Sequence, residues 1–360
     1  MALPTALTSS HPSTAPQGGW APAEVSARIG PGVRQYPAEA WTPAAPQADA
    51  LGESPYWSAD EQRLYWLDIP GRQALRASLQ AGADGLVLAE PERWPLPQEA
   101  GCFAPVRQGG WILGMRDGIY RAAAWGGALE RIVQLNYDPS TMRFNDGKCD
   151  PSGRFWAGTL FEPKTSRRAE LYSVDLRDGK PWVELKAGNA ITANGLAWSP
   201  EGDAVYWADT AAHAVYRWDW DGRTNTLRNH REFLRFPEKP DGWQPGQPGY
   251  LGRPDGATVD RTGHYYVAMF EGARVLKFTP RGELAAVYHL PVQCPTMPCL
   301  GGADGRTLFV TSASKGRSAI TWPVCGMRRR SSSLRPLLAL VTNSAVSYTH
   351  LRAHETKANL

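Results

Sequence analysis

The chain has 360 residues, of which 42% are hydrophobic, with 15 Trp, 13 Tyr, 36 Gly, 30 Pro and a formal charge of +4. That is apolar enough for a buried core, and many aromatics among many turn formers favour short strands and tight turns over long helices. No basic patch interleaved with aromatics argues for nucleic acid as a partner, and no run of 18 apolar residues argues for a membrane span.

Residues 1–45 are rich in Ala, Pro and Ser, show no period, and are expected to form a flexible extension. Their start, MALPTALTSSHPSTAP, has neither the basic nor the apolar region of a signal peptide, so the expected location is the cytoplasm. From residue 46 to 316 one pattern recurs: a turn with Gly or Asp, then a short aromatic or β-branched strand. The copies are RLYWLDI (63–69), GWILGM (110–115), RFWAGTL (154–160), AVYWAD (204–209), HYYVAM (264–269) and TLFVTS (307–312). RQALR (72–76), HAVYR (213–217) and ARVLK (273–277) each supply a further strand after a short turn, which makes hairpins. Each unit then holds about four strands, and a four-stranded sheet cannot bury both faces alone. The expected fold is all-β, a six-bladed propeller with sheets stacked radially around a channel. After Gly316 the rhythm stops, and residues 317–360 are expected to be an atypical tail that is not native sequence. The five cysteines, 102, 149, 294, 299 and 325, are scattered and odd in number, so simple thiols are expected rather than a disulfide frame or a thiolate metal site.

A finer repeat precedes several of these strands. Glu53, Asn194 and Asp255 lie five residues before Ser58, Ser199 and Asp260, and Asn145 and Asp146 occupy the matching place in the third repeat. Equivalent slots in a propeller meet at the central axis. Two carboxylates and one amide oxygen there suit a hard or borderline divalent cation with positions open for water and substrate. Asn-Gly and Asp-Gly are also ordinary turn formers, and it is the recurrence that favours a metal site. Gly195 and Gly256 fit a backbone crowded near that axis. Among other nucleophile arrangements, no G-x-S-x-G elbow occurs. His213 and His264 are expected at the surface or at strand ends, His230 in a polar linker, and His289 between repeats.

From about Leu51 to Gly316 the chain resembles the SMP-30/gluconolactonase/LRE-like family, which includes regucalcin and bacterial sugar lactonases. The segments that carry the resemblance are LGESPYWSADEQRLYWLDI, RFNDGKCDPSGRFWAGTL, ITANGLAWSPEGDAVYWADT, RPDGATVD and TMPCLGGADGRTLFVTSA. The resemblance implies a six-bladed propeller, one divalent metal in the channel, and hydrolysis of a sugar lactone to the aldonic acid. It implies Glu53, Asn194 and Asp255 as metal ligands and Arg143 and Asn145 as substrate contacts. A further family substrate-binding Glu would fall near Glu162, although direct alignment puts Pro163 in its place. In this chemistry the cation (Ca, Zn, Mn or Fe) stabilises the developing oxyanion, and Asp255 doubles as general base. Asp146 is a candidate polar contact to substrate or water. The Gly- and Pro-rich stretch 236–256 reads as a loop over the site mouth, where Trp243 and Tyr250 could favour a flatter substrate. The partner expected is a small-molecule lactone, with the chain a monomer or small homo-oligomer. The competing reading is a non-enzymatic propeller that binds calcium or other proteins.

Overall fold

The computed structural model describes residues 30, 32–45, 48–82, 85–245 and 247–314, and the backbone of 23–24 and 324–327. The strands pair into six sheets. Five of them run outward from an innermost strand through consecutive segments of chain. Their innermost strands are Gly52–Ser58, Ala100–Pro105, Met142–Cys149, Ala193–Trp198 and Arg253–Val259. The second strands are Arg63–Asp68, Trp111–Met115, Phe155–Phe161, Ala204–Asp209 and Tyr265–Phe270, each antiparallel to the first. Most of these residues are buried on both faces, as in a sheet sandwiched between neighbours.

The propeller class expected from the repeats is what the chain adopts, with one correction. The sixth repeat does not supply a blade of its own. It contributes Pro295–Gly301 and Thr307–Ser312, and that sheet is completed by Val324–Met327 and then Thr42–Pro43. The sheet is therefore composite, built from three distant parts of the chain. Part of the stretch read as an N-terminal extension is thus a structural piece. Arg34–Tyr36 lies parallel to Leu284–His289 on the outer edge of the fifth sheet, with the Tyr36 and Tyr288 rings stacked at 4.6 Å. The remainder of 1–29 and of the 317–360 tail lies outside the described residues, as does the side chain of Cys325.

Each pair of neighbouring sheets encloses its own apolar cluster. Trp156, Trp198, Trp207 and Trp220 fill the space between the third and fourth sheets. Tyr206, Phe233, Tyr265 and Phe278 fill the next. The ring closes where Trp57 of the first sheet stacks on Phe309 of the sixth, at 5.6 Å and 16°. Burying each such ring contributes about 1.5–3 kcal/mol. The innermost strands pack against one another in sequence, and the last, 295–301, returns to the first, 52–58.

The turn into the third strand is also repeated. Arg72, His213 and Ala273 stand directly before Gln73, Ala214 and Arg274, and all three have left-handed backbone, at φ 49°, 52° and 51°. The third strands of these blades are therefore each entered from a left-handed residue despite unrelated side chains, after four connecting residues at 69–72 and 210–213 and three at 271–273. Cys102, Cys149, Cys294 and Cys299 are free thiols, as expected.

Candidate metal and substrate site

The candidate residues sit where the innermost strands begin. In five sheets two residues of the innermost strand oppose one residue of its neighbour. The pairs are Ser54–Pro55, Asn145–Asp146, Gly195–Leu196, Asp255–Gly256 and Thr296–Met297. Such a bulge bends the strand and re-aims its side chains. Here it turns polar groups toward the axis at one end of the channel.

Glu53 and Asn194 both immediately precede their bulge, as equal spacing from the turn requires. Asp255 is instead the first residue of its bulge, one position later. The ladder between bulge and turn differs: Ala197 and Trp198 are paired before Ser199, whereas Ala257, Thr258 and Val259 are paired before Asp260, one pair more. Counting five back from the turn therefore reaches Asp255 in a shifted register. Gly195 meets the structural need expected of it, since its φ is 61° and a Cβ would lie 2.5 Å from Tyr265 Oη. A Cβ on Gly256 would lie 2.5 Å from Met297 Cβ. Ser54 fills the bulge position equivalent to Gly195 and has left-handed backbone at φ 52°.

Glu53, Asp146, Asn194 and Asp255 are all buried. Burial raises the Glu53 carboxyl well above the ordinary range, and Asp255 and then Asp146 push it further. Asp255 is pushed up to about 8, by burial first and by Asp146 next. The three acidic groups thus share one electrostatic environment, opposed in part by Arg143 at Glu53 and by Arg253 at Asp255. Asp146 Oδ2 accepts from Leu196 N at 3.0 Å, while its buried Oδ1 has no hydrogen-bond partner among the described residues. Lys148 reaches across the channel to the Ala257 carbonyl oxygen and is the main opposing charge on Asp146.

Hydrogen bonds hold the neutral groups. Asn194 Nδ2 donates to Thr210 Oγ1 at 2.7 Å, and Asn194 Oδ1 accepts from Asn145 Nδ2 at 2.9 Å. An amide oxygen with one donor keeps a second lone pair. Asn145 Nδ2 also donates to Ala193 O at 2.9 Å. Arg143 is buried, its Nη1 donating to Phe144 O at 2.9 Å and to Asn145 Oδ1 at 3.0 Å, with Nε 3.4 Å from Glu162 Oε1. All seven residues singled out from the sequence therefore belong to one end of the channel. Among the described residues no three His, Cys, Asp or Glu form a metal cluster. A cation here would need the Asn194 amide to complete the Glu53 and Asp255 pair.

Sequence reasoning missed most of a second ring of residues. Asp68, Arg116, Asp209 and Glu271, together with the expected Glu162, lie at, or directly after, the ends of the second strands. Arg116 pairs with Glu99 and, at 2.9 Å, with Glu162. Asp209 accepts from Thr192 N at 3.2 Å and Arg167 Nη2 at 2.9 Å, fixing the turn that enters the Asn194 strand. Glu271 pairs with Lys239 and Arg253, each at 3.2 Å. The signal was available, because each of the repeated strands ends in or is followed by a polar or charged residue.

Other expectations need correction. His213 is buried, not superficial, and its Nε2 lies 2.9 Å from Tyr250 Oη. Tyr250 and Trp243 are 3% and 7% exposed, so their rings serve the packing of the 236–252 loop rather than offering a flat face to a substrate. His289 lies on an outer strand beside Gln35, away from the channel. His230 stacks on Trp218 at 4.6 Å. Among the described residues no helix is long and apolar enough to cross a membrane.

Residues 51–314 match the profile described as SMP-30/Gluconolactonase/LRE-like region. The chain is 39% identical over 285 residues to the 6-deoxy-6-sulfogluconolactonase of Pseudomonas putida, covering 78% of this chain and 90% of that protein. It is 32% identical to the L-arabinolactonase of Azospirillum brasilense, covering 79% and 87%. In structure it is similar to a calcium-binding protein, regucalcin, of Agrobacterium tumefaciens, with TM-score 0.70, 22% identity, and 82% and 94% of the chains covered. A gluconolactonase of Xanthomonas campestris superposes with TM-score 0.60 and 20% identity over 79% and 88%. The two structural likenesses bear on the fold alone. The profile match and the identity to curated relatives show that this chain belongs to the SMP-30/gluconolactonase/LRE-like family.

Proposed function

We propose that the protein is a metal-dependent lactonase that hydrolyses sugar lactones to aldonic acids, on a six-bladed ring with a divalent cation held by Glu53, Asn194 and Asp255. The observation that carries the reading is the buried pair of carboxylates, Glu53 and Asp255, which repel each other beside an amide oxygen at the channel mouth. The orphaned Oδ1 of Asp146 adds a further buried acceptor. This donor set fits a divalent cation such as Ca²⁺, Mn²⁺, Zn²⁺ or Fe²⁺. Relatives named for hydrolysis of sulfogluconolactone and arabinolactone support the substrate class.

When bound, the cation supplies a Lewis acid that withdraws electron density from the ester carbonyl. The chain's own residues do the rest. Arg143 is fixed by three acceptors and Asn145 by Asn194 and Ala193, so a lactone meets donors already oriented. Asp255 accepts the proton of the attacking water, whose oxygen bonds to the carbonyl carbon. The ring C–O bond then breaks, and the released alkoxide takes that proton to become the hydroxyl of the aldonic acid. The apolar walls of neighbouring sheets limit the site to its open end.

Acid released from gluconolactone in a pH-stat, compared between wild type and Asp255→Asn, tests the proposal. Acid release above the spontaneous rate by wild type, reduced about a hundredfold or more in the variant, supports it. Wild-type release equal to the spontaneous rate would remove it.

A further inference from the structure

One cation inside the channel takes no part in the proposed hydrolysis. Lys148 stands on the innermost strand of the third sheet, paired with Trp156. The backbone there is closely packed, since a Cβ on the preceding Gly147 would lie 2.5 Å from Trp156 O and 2.6 Å from Cys102 Sγ. The half-buried side chain reaches across the channel, and its Nζ donates to Ala257 O on the innermost strand of the fifth sheet. This bond joins blades that are not neighbours. Both of its ends adjoin the acidic cluster, for Lys148 is two residues after Asp146 and Ala257 is two residues after Asp255. Two residues of extended chain span at most about 7 Å.

Among the described residues the hydrogen bond of this ammonium goes to a neutral carbonyl oxygen rather than to a carboxylate. Arg143 and Arg253 differ, since each is paired with a carboxylate of the outer ring, Glu162 at 3.4 Å and Glu271 at 3.2 Å. Lys148 is the largest opposing charge on Asp146. Burial lowers its own pKa from the ordinary lysine value, and Asp146, then Cys299 and Glu53, oppose that fall. Asp146 also keeps a buried Oδ1 with no hydrogen-bond partner among the described residues, so charge rather than a hydrogen bond offsets it. A divalent ion brought to Glu53 and Asp255 therefore meets a positive charge that already faces the same acids.

We propose that Lys148 is a resident counter-cation, whose ammonium balances the Glu53, Asp146 and Asp255 cluster while no divalent ion is bound and lowers the affinity of the site for that ion. Like charges facing the same acids repel most where water is excluded. The two effects are one quantity by linkage: the stability that Lys148 gives to the metal-free form beyond the metal-bound form is lost from cation affinity. A lysine that only tied the third and fifth blades together would stabilise both forms alike. This inference rests on the metal reading of the site and deepens it.

The test uses the full chain, stripped with EDTA, as wild type, Lys148→Met and Lys148→Arg, with Ca²⁺ and Mn²⁺ added singly. Calorimetric titration reads the Kd, and melting is followed with and without the ion. Lys148→Met is expected to bind the ion about tenfold more tightly than wild type. Without the ion it should melt several degrees below wild type, and that gap should narrow when the ion is saturating. Lys148→Arg keeps the charge and should stay within about threefold of the wild-type Kd. An affinity unchanged or weakened in Lys148→Met, or an equal melting deficit with and without the ion, overturns the counter-cation. A Lys148→Met protein that folds only with the ion present upholds it. If that variant fails to fold in both conditions, Lys148→Gln is read by the same two measurements against the same outcomes. Binding of neither ion to wild type or to any variant means that the metal reading itself fails, and this inference with it.

Discussion

Gly195→Ala tests whether the bulge geometry positions the site. The residue has φ 61°, and holding an L-residue there costs about 1–2 kcal/mol. The new Cβ would lie 2.5 Å from Tyr265 Oη, 2.9 Å from Ala208 Cβ and 3.1 Å from Asp255 O. Tyr265 is fully buried, and its hydroxyl donates to Gly195 O at 2.8 Å. If the phenol moves aside, that buried hydrogen bond is lost, at about 1–3 kcal/mol. The sum is about 2–5 kcal/mol, which lowers the melting temperature by roughly 5–15 °C in a domain of this size. Calorimetric melting of Gly195→Ala, Tyr265→Phe and the double variant separates the two contributions. In the Phe background the alanine should cost about 1 kcal/mol less, because the clashing oxygen is gone. A melting temperature unchanged by Gly195→Ala, or strictly additive effects, would refute the account of this bulge.

The metal-free protein should lose stability as pH rises from the ordinary carboxylate range toward about 8, because folded Asp255 keeps its proton over that interval while the unfolded chain releases it. A divalent cation should flatten that slope, and melts across pH with and without cation check it; a slope of the opposite sign would contradict it. In the metal-free protein at neutral pH, Asp255→Asn should leave the melting temperature unchanged or raise it, because the amide removes the cost of holding that buried carboxyl protonated above its ordinary range. Equal loss of stability and turnover in that variant would mean that Asp255 is structural. Trp57→Ala should cost about 3–5 kcal/mol by opening the contact with Phe309 that joins the first and sixth sheets, read by denaturant unfolding. Thr210→Val removes the acceptor of Asn194 Nδ2 and should weaken calorimetric cation binding several-fold with little change in melting temperature.

The blades that fold from consecutive chain were legible in the sequence, since aromatic strands and Gly or Asp turns repeat locally. The composite sixth sheet was not. Its third and fourth strands, 324–327 and 42–43, come from segments with no strand period of their own, and pairing between the two ends of a chain leaves no local pattern. Glu53 and Asn194 were legible because bulges recur in the same register. The one-residue displacement of Asp255 was hidden, because one more ladder pair between bulge and turn moves the bulge relative to a count of five without leaving a mark in the sequence. The outer ring of Arg116, Asp209 and Glu271 escaped because a charged residue after a strand looks like solvated surface until the ring closes. His213 was misread for the same reason: burial of a turn residue comes from the loop that covers it, through Tyr250.

The central claim is tested most directly by stripping the protein with EDTA and following hydrolysis of glucono-, galactono- and xylonolactone as Ca²⁺, Mn²⁺, Zn²⁺ and Fe²⁺ are added back singly. The account predicts turnover above the spontaneous rate that disappears on stripping, returns with at least one cation, and fails to return in Glu53→Gln. Folded protein that hydrolyses no lactone with any cation, or hydrolyses one equally well without metal, would contradict it.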